Sequence, residues 1–113
     1  MPGFAKTHKD TFDTSCDRLW LALKDTLRNS GKYGIIAVSN EELTASYNIG
    51  GFLTGKRINS AVLNKKAENR CEMQTQTSFS GLVNHDYGDL IKRVKESLEK
   101  LDAAPRENPA SDK

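Results

Sequence analysis

The sequence predicts an α+β fold: an antiparallel sheet of four to five strands with two helices packed on one face, in the order (β)-α-β-β-β-β-α. Three observations carry this. Apolar residues recur with a helical period over 15–29, switch to strict alternation between 33 and 79, and return to the helical period over 86–103. Runs of strands bracketed by helices place the helices on one side of an antiparallel sheet.

Taken in order, "KDTF" at 9–12 offers a short edge strand. Thr14 followed by Asp17 resembles a capping box opening the first helix. In that helix Cys16, Leu19, Trp20, Leu23 and Leu27 fall on one stripe, Lys24 and Arg28 suit the negative end of its dipole, and Gly31 stops it. "YGIIAVSN" and "LTASYNIG" then read as two strands around the turn "SNEE". Two more are expected at 57–65 and 70–79, flanking the polar turn "KKAEN". In the last, Cys71, Met73, Thr75, Thr77 and Phe79 share a face. Tyr87, Leu90, Ile91, Val94, Leu98 and Leu101 form the stripe of the second helix, which Asp86 and Asp89 open with favourable charge. Residues 1–103 are therefore expected to form a single domain, frayed over 1–9, and the Pro-containing end 104–113 a disordered tail.

The 113 residues suffice for one core, and hydrophobic and charged contents of 36% and 28% describe a water-soluble globule. No apolar run is long enough for a transmembrane helix. A net charge of +2 is too balanced to imply nucleic acid or anionic lipid without a local patch. As written, the N-terminus carries no apolar signal segment, so the chain is expected in the cytoplasm, or in the periplasm or outside the cell if a signal peptide has been removed.

"GGFLTGKR" at 50–57 has the glycine and lysine spacing of a phosphate-binding loop. Such a loop must open into a helix whose amides hold the phosphates, and here a strand pattern follows, with Arg57 where the Mg²⁺-binding hydroxyl belongs. The glycines are expected instead as flexible points of a long hairpin connection. Phe52, Leu53, Lys56 and Arg57 then form a candidate interaction loop, an apolar tip with a basic collar. Lys65, Lys66 and Arg70 add a basic patch that supports a reading as a single-stranded nucleic-acid surface, but Glu68 and Glu72 dilute it. His85, Asp86 and Asp89 read as a helix start, and His8 falls in the segment expected to fray. No catalytic residue, cofactor or metal is expected. Cys16 and Cys71 are too far apart for a CxxC pattern, which leaves two buried thiols or one structural disulfide as alternatives.

The stretches "FDTSCDRLW", "RCEMQTQTSFSG" and "HDYGDLIKRVKESLEKL" resemble a group of small bacterial proteins of uncharacterised activity, often exported, over roughly 10–101. The resemblance implies that Cys16 and Cys71 pair across the core and that the protein is exported. It brings no activity with it.

The first functional reading is a non-enzymatic binding or protein-interaction module with an unidentified protein partner, monomeric or weakly dimeric. The alternative is a small-ligand carrier or enzyme with a pocket between sheet and helices, lined by Trp20, Tyr47, Met73, Phe79 and Tyr87. A cavity of about 300 Å³ or more in that layer favours the alternative, and a filled core the first.

Overall fold

The structure is a computed structural model, described here for residues 6–51, 55–77 and 86–103. Strand β1 (Lys6–Phe12) leads into α1 (Cys16–Asn29); β2 (Gly34–Ser39), β3 (Thr44–Gly51), β4 (Gly55–Ala67) and β5 (Arg70–Thr77) follow, and α2 (Asp86–Ala103) closes the order. The strands form one antiparallel sheet in the order β1-β5-β4-β3-β2. This is the predicted α+β architecture, with the optional first strand present.

Local sequence explains the boundaries. Ser15, not Thr14, caps α1: its hydroxyl accepts from the Arg18 amide at 3.2 Å, while Asp17 sits in the first turn. Gly31 adopts a φ of +76° just beyond the Ser30 C-cap, a conformation that costs a residue without Cβ little. Leu43, leading into β3, also holds a positive φ of 57°. Its carbonyl accepts from the Leu63 amide at 3.0 Å and its side chain packs against the core, contacts that offset the steric cost.

Two further expectations change. The "KDTF" edge strand reaches back to Lys6 and pairs with β5 from Lys6↔Thr77 to Phe12↔Cys71, so residues 6–9 are ladder residues instead of a frayed end. The β3–β4 ladder continues through Gly50↔Lys56 to Gly51↔Gly55, so these glycines belong to strands and the connection between them is short. No helix follows Lys56, as expected from the strand pattern. Phe52, Leu53 and Phe79, and the tail 104–113, lie outside the described residues.

The helices run antiparallel across the inner face. Arg18 near the start of α1 pairs with Asp102 near the end of α2, Asp25 meets Ser97 midway, and Lys32 beyond α1 pairs with Asp89 in the first turns of α2 at 3.5 Å. Leu19, Leu23 and Leu27 of α1 and Leu90, Ile91 and Val94 of α2 are buried with Phe12, Ala45, Tyr47, Ile49, Ala61, Leu63 and Met73 of the sheet. The stripe on α1 is wider than predicted and includes Ala22 and Thr26, because the helix is covered by both the sheet and α2.

One covalent bond crosses this layer. Cys16 in the first turn of α1 and Cys71 in β5 are joined as a disulfide, with Cα atoms 5.0 Å apart. The bond ties residues 55 apart, and the chain-entropy model gives such a loop about 4 kcal/mol of stabilisation. Reductant is expected to lower the unfolding free energy in denaturant titrations by about that amount. Superimposable curves with and without reductant would contradict the assignment.

Candidate functional site

Alternation along the strands decides what reaches the inner face. In β5, Cys71, Met73, Thr75 and Thr77 are buried; in β4, Asn59, Ala61 and Leu63; in β3, Ala45, Tyr47 and Ile49. In β1 the same face carries His8, Asp10 and Phe12, while Thr7, Lys9 and Thr11 are exposed. Register then assembles rows across the sheet. His8 stands opposite Thr75, which stands opposite Ala61. The adjacent row holds Thr77, Asn59 and Tyr47. One end of the inner face is thus polar, although Thr75 and Thr77 are only 1% and 3% exposed.

The helix start of α2 closes over this end. Tyr87 stacks on His8, with ring centroids 4.2 Å apart and planes 14° from parallel. Burial raises the Tyr87 hydroxyl above its ordinary pKa of 10.0, and the negative charge of Asp10 adds to the effect. At neutral pH it is therefore a protonated donor. The hydroxyls of Thr75 and Thr77 are covered, and neither has a hydrogen-bond partner among the described residues. A buried polar group without a partner costs about 1–3 kcal/mol, so two neighbouring ones require a reason. Stacked rings, a phenol and two hydroxyls on one wall can recognise a molecule that is both flat and polar.

The residues singled out from sequence are distributed differently. Lys65, Lys66 and Arg70 gather at the exposed β4–β5 turn, where Lys66 pairs with Glu72 at 3.8 Å and Lys65 shares a cavity wall with Asp17 and Glu68. Arg57 lies eight residues back along β4, about 26 Å away at strand spacing, so it does not join that patch. Trp20 and Met73 are core residues, and the Trp20 indole N–H donates to Asn40 at 2.8 Å. A cavity of about 620 Å³ is lined by residues of α1 and α2 together with Ser30. Ile36 and Ile58, 51% and 54% exposed, place apolar surface elsewhere on the sheet. Among the described residues no group of three or more His, Cys, Asp or Glu could hold a metal ion, and no helix is long and apolar enough to cross a membrane.

Sequence reasoning missed His8, Asp10 and Asn59. The alternation of His8, Asp10 and Phe12 was available as a signal, and so was the appearance of Thr75 and Thr77 on a face begun by Cys71 and Met73.

No family model and no curated protein matches the chain. Solved structures do. The di-domain aromatase/cyclase BexL from the BE-7585A biosynthetic pathway superposes with a TM-score of 0.66 at 7% identity, over 92% of this chain and 48% of that one. The chain thus spans about half the length of that protein. Norcoclaurine synthase from Thalictrum flavum, in complex with dopamine and hydroxybenzaldehyde, gives 0.54 at 14% identity over 89% of this chain and 88% of the other. The aromatase/cyclase ZhuI from Streptomyces sp. R1128 gives 0.53 at 12% identity, over 87% of each. At these identities the likeness establishes a shared fold.

Replacing Thr75 by Val keeps the shape and removes an unpartnered hydroxyl. The variant is expected to be as stable as the parent or more so, by up to about 2 kcal/mol in denaturant unfolding. A loss of similar size would reveal a hydrogen bond that holds the fold.

Proposed function

We propose that the chain binds a small hydroxylated aromatic molecule at the polar end of the inner face, between the sheet and the start of α2. The observation that carries this reading is the pair of covered hydroxyls of Thr75 and Thr77, without partners among the described residues, on the strand that pairs Thr75 with His8 of the His8–Tyr87 stack. A hydroxylated ring answers both features. Its face continues the aromatic stack, and its hydroxyl supplies the partner that the threonines lack. Binding of this kind agrees with the shared fold, since norcoclaurine synthase was crystallised with two phenolic compounds.

The disulfide supports residence in an oxidising compartment, the setting that the resemblance to exported bacterial proteins implies. A second reading, a protein-contact surface on the sheet, is favoured by the exposed Ile36 and Ile58. It leaves the buried threonines unexplained.

The test is an amide-spectrum titration with catechol, using toluene as the probe without hydroxyls. Catechol is expected to produce saturable shifts centred on residues 8–10, 59, 75–77 and 87–91. Toluene, and catechol with the Thr75→Val/Thr77→Val variant, should each bind about tenfold more weakly, as expected for hydrogen bonds that contribute on the order of 1 kcal/mol each. Equal binding by parent and variant, or shifts confined to Ile36 and Ile58, would overturn the proposal.

A further inference from the structure

The contact between the helices is not closed along its whole length. Beside the Asp25–Ser97 contact lies the cavity of about 620 Å³, walled by α1 and α2, within the size range of small-molecule sites. It shares no lining residue with the inner-face site.

Its chemistry is distinctive for a groove between two surface helices. Thr26 is 4% exposed, lines the cavity, and its Oγ1 is covered with no partner among the described residues; the Nε of Arg93, on the opposite wall, is in the same condition. Asp25 is held on both oxygens. The Ser97 hydroxyl donates to its Oδ2 and the Asn29 amide to its Oδ1, each at 2.6 Å. These two bonds, with a smaller contribution from the Lys100 charge, hold its carboxyl below the ordinary 3.8. Asp25 therefore acts as a structural anion with a partner on each oxygen.

Arg93, Glu96 and Glu99 differ. All three line the cavity, and none forms an ion pair among the described residues. The wall thus holds two cations, Arg93 and Lys100, and the carboxylates of Glu96 and Glu99, with no ion pair between them among the described residues. A simple anion would meet Arg93 and Lys100 but be repelled by Glu96 and Glu99, and a simple cation would face the reverse problem. A molecule carrying both charges satisfies both.

We propose that the cleft between α1 and α2 binds a small zwitterion of amino-acid size, with its carboxylate on the Arg93 guanidinium and its ammonium against Glu96 and Glu99. A guanidinium holds a carboxylate through parallel N–H···O bonds, which fixes the orientation of the guest. Ser30 and Asn29 on the α1 wall supply further polar contacts.

The experiment is an amide-spectrum titration of the whole chain with glutamine, alongside acetate and methylammonium chloride at matched ionic strength. Glutamine is expected to give saturable shifts over residues 25–30 and 93–100, with each singly charged probe binding at least about tenfold more weakly. Arg93→Gln should weaken glutamine binding by about tenfold or more, as should Glu96→Gln, both with near-parental melting because the side chains carry no ion pair. Thr75→Val should leave this binding unchanged, which separates the cleft from the inner-face site. Absence of saturable shifts at about 50 mM glutamine, equal binding by acetate, or unaltered binding by Arg93→Gln would each overturn the proposal, since one charge-assisted contact is worth at least about tenfold.

Discussion

Everything in this molecule follows from the need to bury one face of a five-stranded antiparallel sheet. A lone sheet of this kind has an apolar side that water penalises at roughly 25 cal/mol per Å². Two helices cover it, and they do so antiparallel, with ion pairs near both ends and the Asp25–Ser97 hydrogen bond between them. The Cys16–Cys71 disulfide fixes where the first of these helices begins on the sheet. Once that point is set, the stripe from Leu19 to Leu27 joins Met73, Leu63 and Tyr47 in one core, to which α2 adds Leu90 and Val94.

Against that apolar layer the polar end of the inner face is an anomaly with a location. Thr75, Thr77 and Asn59 occupy positions that alternation reserves for side chains like Met73 and Leu63. Val at Thr75 or Thr77 would fit the same space and remove the desolvation cost of a hydroxyl. Retaining hydroxyls there makes sense where something other than folding uses them. The His8–Tyr87 stack completes the wall, and the strand that carries His8 exists because β1 finds a full ladder on β5. The site thus depends on the edge of the sheet as much as on its centre.

The fold was legible because its signals are periodic and local. Both helices, strands β2 to β5 and their antiparallel pairing follow from where the period changes and from the turns between. What the sequence could not supply was contact between distant segments. His8 and Tyr87 meet across nearly the whole chain, and Asp25 and Ser97 are 72 residues apart. The charged residues of the cleft read as solvated helix faces until the antiparallel helix pairing brings Arg93 opposite Thr26. The cysteine pair was undecided for the same reason, since a bridge depends on a Cα separation that only the fold sets. Thr14 and Ser15 both suit a cap and differ by one residue of register, so sequence alone does not separate them, and Ser15 serves.

On the proposed reading, the hydroxyls of Thr75 and Thr77 serve a ligand. The most direct measurement is a crystal structure of the protein grown with catechol. A catechol ring is expected against Tyr87 or His8, with one of its oxygens about 2.8 Å from the Oγ1 of Thr75 or Thr77. Both hydroxyls bonded to other groups of the protein, with no catechol in that layer, would contradict it.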